Sequence, residues 1–321
     1  MVLKEVEEIC EKIRKLEIQG ARNVAKAAVK ALSIQARNSK AENVDAMVSE
    51  LLEAADALAS TRPTEPMLRN ALRNAVRHSL SRASRKTASV EELRNAVIEG
   101  EKNYFENVKK SISNIAEFGA KKLPEKGEVL LHCHSSTVVS VIKRAFEMGK
   151  EIRITCTETR PKYQGHITAR ECAKAGIPTR MIVDSAVKNF MQDIDVVLVG
   201  ADAITATGDL VNKIGTSTIA AVARDEDVPF YCATEVFKFD SLTRWGVMEE
   251  IEERDPSEVA DPKEFKGVEI RNPAFDVTRA RYISAYITDL GIFPPQSLVS
   301  AVWREFPPEN PLAKRSFKIK R

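Results

Sequence analysis

Between Gly127 and Phe146 the chain reads GEVLLHCHSSTVVSVIKRAF, and a cysteine stands between two histidines where an apolar run stops. Three chemistries compete for His132-Cys133-His134: a metal site, a buried structural thiol, and a reactive thiol at the mouth of a sheet. Side chains alternate along a strand, so His132 and His134 share one face while Cys133 points away. No further paired His/Cys motif follows to complete a tetrahedral zinc site, so neither metal nor other cofactor is expected. A carboxyl follows a second apolar run, where DVVLVG gives way to Asp202 in GADAI. Asp202 fits either the N-cap of a following helix or an acid at a strand end. Asn212 and Lys213 then precede Gly215 and a run of Thr and Ser in DLVNKIGTSTIAA. Small hydroxyl residues at such a helix start leave backbone N–H groups that suit an anion. GARNV, at another helix start, offers Arg22, and Arg62, Arg160 and Lys238 are cations beside turns. Together they suggest phosphate recognition.

The elements that must position these residues change character along the chain. Residues 1–122 read as almost wholly helical: Leu3, Val6, Ile9, Cys10, Ile13 and Leu16 make one apolar stripe at three- and four-residue steps. Gly20 is expected to end that helix as its C′ residue. Helices follow over ARNVAKAAVKALSIQAR and AENVDAMVSELLEAADALAS, then the two-proline stop TRPTEPM, then two more helical stretches with a charged break near SRASRKTASVEE. Beyond LPEKGE, short β-branched runs alternate with amphipathic stretches: EVLLHC (128–133), EIRITCT (151–157), TRMIV (179–183), DVVLVG (195–200) and VPFYCAT (228–234). Runs apolar on both faces and separated by helices predict a parallel sheet covered on both sides. The reading is α/β: a helical N-terminal domain over 1–122 and a Rossmann-like parallel-sheet domain over 123–321. In such a sheet ligands gather at the carboxyl ends of the strands, where Cys133, the TETRPKYQG segment and Asp202 all fall. NPAFDVTRARYISAYITDLGIFPP reads as a buried loop leading into a helix, and AKRSFKIKR as a solvated end.

Composition removes several function classes. The 321 residues are 43% hydrophobic and carry 49 basic against 46 acidic side chains, a formal charge of +3. A dedicated nucleic-acid binder needs a clear basic excess, so no nucleic-acid partner is expected. The opening MVLKEVEEICEKIRK lacks the apolar core of a signal peptide, and no apolar run approaches the ~20 residues that span a bilayer. Five scattered cysteines without CxxC spacing read as reduced thiols in a cytoplasmic protein with no membrane partner. No GxGxxG, Walker A, HExxH or GxSxG occurs, which argues against dinucleotide or P-loop binding, zincin chemistry and the α/β-hydrolases.

RPKYQG, GADAI with GDLVNKIGT, and NPAFDVT resemble the signatures of the methylthioribose-1-phosphate isomerases and their relatives, which include the α, β and δ regulatory subunits of translation initiation factor 2B. The resemblance runs from GARNV to FPP. Within that superfamily GARNVAKAA, LLHCHSSTV, ETRPKYQGHITA and TEVFKFD are most similar to the ribose-1,5-bisphosphate isomerase branch of archaeal AMP degradation. Ser135, Ser136 and Thr137 stand where methylthioribose-1-phosphate isomerases carry an Asn-Ala-Gly run, adding hydroxyl donors for a second phosphate. The regulatory subunits typically lack the Cys and Asp pair that this chain has.

The resemblance implies an aldose–ketose isomerisation of ribose 1,5-bisphosphate, with Cys133 as base and Asp202 as acid. It also implies substrate binding by Ala21, Arg22, Asn23, Val24, Arg62, Ser135, Arg160, Gln164, Asn212, Lys213 and Lys238. Both catalytic roles demand shifted protonation: a thiolate base benefits from nearby cations or helix N-termini, and keeping an Asp protonated at pH 7 costs about 4 kcal/mol. The residues beside Asp202, Val199, Ala201, Ala203 and Ile204, suit an apolar wall. Activation by AMP and assembly into a homo-oligomer, a dimer or a hexamer, are further implications. A methylthioribose-1-phosphate isomerase and a non-catalytic nucleotide-sensing subunit are the alternatives.

Overall fold

The computed structural model describes residues 1–83, 89–245 and 251–305, so the middle of the expected charged break (84–88) and the basic tail lie outside the described residues. Within these limits the chain forms two compact units, 1–109 and 110–305.

The first unit is helical: α1 (Lys4–Arg14), α2 (Ala21–Asn38), α3 (Val44–Ala59), α4 (Pro66–Ala83) and the first part of α5 (Val90–Lys122). Of the stripe read from the sequence, Val6, Cys10 and Ile13 of α1 are buried with Ala28 and Leu32 of α2 and Met47, Leu51 and Leu58 of α3, Leu3 and Ile9 are partly buried, and Leu16 lies beyond the helix at φ 59°. Gly20 does not end α1. That helix stops at Arg14 with Lys15 at its cap, whereas Gly20, at φ 82°, is the N-cap of α2. The change to alternating strands follows Lys122, yet the second unit begins at Lys110. The end of α5 belongs to the sheet, because it buries Ile115 and Ala120 in the same core as Val129 and Ile154.

The second unit runs, in chain order, through β1 (Lys126–Leu131), α6 (Ser136–Glu147), β2 (Glu151–Thr157), α7 (Gln164–Lys174), β3 (Thr179–Ile182), α8 (Val187–Phe190) and β4 (Val196–Val199). It continues through β5 (Ala203–Thr205), β6 (Leu210–Lys213), α9 (Thr216–Asp225), β7 (Phe230–Ala233), β8 (Phe239–Asp240), β9 (Phe275–Thr278), β10 (Ala285–Thr288), β11 (Gly291–Phe293) and α10 (Pro295–Glu305). Seven strands form one sheet in the order β3-β2-β1-β4-β7-β10-β11, parallel except for the edge strand β11. All four residues of β4 and of β10 are buried, as strands covered on both faces must be. The chain order reverses between β1 and β4, the topological switch point of a doubly wound sheet.

A second sheet, β8-β5-β6-β9, is absent from the sequence reading. Asp202 is not a helix N-cap, because strand β5 follows it. The stretch expected to be a buried loop supplies β9, β10 and β11 before α10. Those strands are only three or four residues long, too short to show a period. No helix among the described residues is long and apolar enough to cross a membrane.

Candidate active site

Cys133 and Asp202 follow the two strands that flank the switch point. β1 ends at Leu131, so the expected strand to residue 133 is too long, and Cys133 turns in the left-handed region at φ 66°. The alternation argument therefore fails for the histidines. His132 is buried and contacts Thr157 Oγ1 and the Ile214 carbonyl, while His134 meets Thr168 Oγ1 at 3.1 Å and Glu171 at 3.9 Å. Among the described residues no group of three His, Cys, Asp or Glu side chains is placed to hold a metal.

The turn after β1 is held by its neighbours. The Cys133 amide donates to Thr159 Oγ1 at 2.9 Å, and Thr168 Oγ1 donates to the Cys133 carbonyl at 2.9 Å. Ser135 caps α6, accepting from the Val138 amide at 3.4 Å. Its side chain lies against Gly200 at the end of β4, where an added Cβ would stand 2.8 Å from Ser135 Cβ and Oγ. Glycine at 200 is thus what lets the β1 and β4 loops approach.

The small sheet explains why NKIGT follows GAD by about ten residues. β5 and β6 form an antiparallel hairpin with Ala203 opposite Val211, and the Asp202 amide donates to the Val211 carbonyl at 2.9 Å. Asn212 and Lys213 are thereby returned beside Asp202. β8 joins β5 in parallel, which brings Lys238 to the same end, and Lys238 Nζ donates to the Ala201 carbonyl at 2.5 Å. β9 pairs antiparallel to β6 with Asp276 opposite Asn212. One end of this sheet therefore gathers Asp202, Asn212, Lys213, Lys238 and Asp276 from four separate stretches of chain. Val199, Ala201, Ala203 and Ile204 are all buried, as an apolar wall requires.

Two of these groups, Asp202 and Lys213, act on Cys133. Burial pushes the half-buried Cys133 thiol up to about 12; Asp202 raises it further, and Lys213 opposes the rise. In the free protein Cys133 is accordingly a thiol at neutral pH, not the resting thiolate that nearby cations alone would give. The other four cysteines are buried.

Several expected binding residues are already engaged. Asn212 Nδ2 donates to Thr216 Oγ1 at 3.0 Å, and Lys213 Nζ stands 4.9 Å from the centre of the Phe275 ring. Arg160 donates to Tyr163 Oη at 2.5 Å and to the Val259 carbonyl at 3.0 Å, and Asp184 accepts its backbone amide at 2.7 Å. Gln164, the first residue of α7, has a buried Oε1 with no hydrogen-bond partner, a group that a sugar hydroxyl can satisfy. The amides at the start of α9 are not open to an anion, because the Asp276 carboxylate accepts from Gly215 N at 2.8 Å and Ser217 N at 3.1 Å. Ala21, Arg22, Asn23 and Val24 form the first turn of α2 in the first unit. Ala21 and Val24 are buried there, and the Val24 amide already donates to the Gly20 carbonyl at 3.0 Å; Arg62 lies in the turn before α4.

Sequence reasoning missed Asp184, Asp276, Thr157 and Thr159. Asp184 was within reach, since it follows the apolar run TRMIV as Asp202 follows DVVLVG. Asp276 sits in the quoted NPAFDVT without an assigned role, because no local pattern says that its carboxylate meets a turn some sixty residues earlier.

Residues 17–295 match the model of the initiation factor 2 subunit family. The chain is 45% identical to ribose 1,5-bisphosphate isomerase of Thermococcus kodakarensis, over 95% of this chain and 96% of that protein. Among solved structures, 5-methylthioribose 1-phosphate isomerase of Pyrococcus horikoshii OT3 superposes with a TM-score of 0.77 at 29% identity, covering 94% of this chain and 88% of that one. The delta subunit of translation initiation factor eIF-2B from A. fulgidus superposes with a TM-score of 0.72 at 34% identity, covering 93% and 91%. With a family match across most of its length and near-full-length relatives at this identity, the chain belongs to the initiation factor 2 subunit family.

Proposed function

We propose that the protein is an aldose–ketose isomerase converting ribose 1,5-bisphosphate into ribulose 1,5-bisphosphate. The observation that carries this reading is the placement of Cys133 and Asp202 after the adjacent strands β1 and β4 at the switch point, with Lys213 returned to the same end by the β5–β6 hairpin. The near-full-length likeness to a ribose 1,5-bisphosphate isomerase supports the choice of substrate.

A sugar phosphorylated at C1 has no free hemiacetal hydroxyl, so opening its ring needs an acid at the ring oxygen. A base must then take the C2 proton. Transfer of one proton from Cys133 Sγ–H to the Asp202 carboxylate prepares both groups. Asp202 delivers that proton to the ring oxygen as the C1–O bond breaks, and the Cys133 thiolate removes the C2 proton to leave an enol. The thiol returns its proton to C1 while the enol O–H passes its own back to Asp202. Protons balance and both residues are regenerated. Lys213 supports the transient thiolate.

For binding, Ser135, Arg160, Gln164, Asn212, Lys213 and Lys238 are the proposed contacts of the second unit. Ala21, Arg22, Asn23, Val24 and Arg62 are the candidate phosphate contacts of the first, through guanidinium groups and the α2 amides that precede Val24, whose own amide is held by the Gly20 carbonyl. Release of Arg160 from Tyr163 and the Val259 carbonyl frees its fork for phosphate.

A coupled assay for ribulose 1,5-bisphosphate tests the reading, run in parallel with methylthioribose 1-phosphate, and with and without AMP. Turnover of ribose 1,5-bisphosphate, increased by AMP, is expected. Preference for methylthioribose 1-phosphate favours the second isomerase, and no turnover of either sugar favours a sensing subunit. A cytoplasmic homo-oligomer, dimer or hexamer, completes the proposal.

A further inference from the structure

Behind Cys133 lies a hydrogen-bond chain whose direction follows from one fixed acceptor once the His132 ring is neutral. The Ile214 carbonyl only accepts, so His132 Nε2, 2.9 Å away, carries the proton. The neutral ring then leaves Nδ1 as an acceptor, and Thr157 Oγ1 donates to it at 2.6 Å. With its proton committed, Thr157 Oγ1 accepts from Thr159 Oγ1 at 3.1 Å, and Thr159 Oγ1 accepts from the Cys133 amide at 2.9 Å. The chain thus runs one way, from the Cys133 backbone to the turn that follows Lys213.

That turn is gripped from its other side as well. Ile214 N donates to the Ala274 carbonyl at 3.1 Å, and Asp276 takes the Gly215 and Ser217 amides. Gly215, at φ 100°, presents its bare Cα to the imidazole; an added Cβ would stand 3.2 Å from His132 Cε1 and Nε2. The ring therefore fills the space between the reacting thiol's backbone and the cation that opposes the thiol's rise.

We infer that His132 is a positioning residue: as the neutral Nε2–H tautomer it locks Cys133 and the Lys213–Gly215 turn in one register, which keeps the Lys213 charge in place to stabilise the thiolate. This deepens the proposed function and rests on Cys133 being the reacting thiol. Protonation of the ring makes both nitrogens donors, so Thr157 must turn its proton from Nδ1 to Thr159 and the Thr157–Thr159 link reverses beneath the Cys133 amide. The charged groups facing the ring are Asp184 after β3, Asp276 on β9 and Lys213 on β6. Burial outweighs the two carboxylates and holds the imidazole below its ordinary 6.5. Activity that depends on this ring consequently persists through 6.5 and falls only further to the acid side.

Two variants test the role. His132→Gln keeps a donor for Ile214 but has no titratable ring, and Thr157→Val removes the donor to Nδ1. Loss of either link is expected to lower kcat about tenfold. His132→Gln should also flatten the acid limb of the kcat profile, whereas Thr157→Val, by withdrawing support from the neutral ring, should move that limb to higher pH. Nitrogen-15 NMR of the wild-type imidazole should report the Nε2–H tautomer at pH 7. Wild-type kcat in either variant overturns the inference, as does a lowered kcat with the acid limb unmoved, or an Nδ1–H spectrum. If His132→Gln does not unfold cooperatively, Thr157→Val and the spectrum decide. Cys133→Ser, measured alongside, separates the two levels: wild-type turnover there removes the reading of the site itself, and an inactive Cys133→Ser beside unaffected His132 and Thr157 variants removes only this one.

Discussion

Cys133 differs from the other thiols in exposure, not in acidity. Cys133 is half-buried and the remaining four are buried, yet burial raises Cys133, Cys156 and Cys172 alike. Iodoacetamide should therefore modify native protein at one position, Cys133, as mass spectrometry would show. The rate should climb about tenfold per pH unit from 7 to 9, because the thiolate fraction does so well below the pKa. A plateau in that range would mean a thiol already ionised. Cys133→Ser and Asp202→Asn should each lower kcat by about 10²- to 10⁴-fold, the usual worth of a positioned acid or base, without loss of fold by circular dichroism. At this scale Cys133, Asp202 and Lys213 stood out in the sequence because each lies beside an apolar run or within a compact motif. Asp276 and the Thr157–Thr159 pair did not, since a hydroxyl or carboxyl acquires its role only from a partner on another strand.

At the scale of elements, the large sheet was readable because β1, β2, β4 and β7 are short strands rich in apolar and β-branched residues between amphipathic helices. The small sheet was not: β5 has three residues and β8 two, and Asp202 read equally well as a cap. At the carboxyl end of the large sheet, Gly200 lets the loop after β1 lie against the end of β4. Gly200→Ala should force Ser135 and its neighbours outward and cost about 1–3 kcal/mol in urea unfolding. The same substitution should lower kcat, because Ser135 and Cys133 belong to one turn. Unchanged stability and kcat would show that the loops have room to spare.

The whole molecule adds a pH dependence that no single element has. Cys172 is held up to about 11 and Cys156 to about 12, against an ordinary 9.0. A thiol whose folded pKa is raised stabilises the fold fully below 9 and loses that contribution as pH climbs toward the folded value. Each buried thiol should then remove at most about 1.4 kcal/mol per pH unit above 9. Urea unfolding from pH 9 to 11 should show a steeper decline in wild type than in Cys172→Ala; equal slopes would refute the assignment. Leu290 and Ile292 are 40% and 39% exposed at the edge of the large sheet, and light scattering should find a mass above the 35.7 kDa of one chain. The arrangement of the small sheet also bears on how such a chain changes occupation over generations. Asp202 and Lys238 precede the first residues of β5 and β8, so the rungs between strands do not depend on a carboxyl or an ammonium at those positions. On the proposed roles, exchanging these two side chains should silence chemistry while leaving the ladder intact, so loss of a catalyst need not mean loss of a fold.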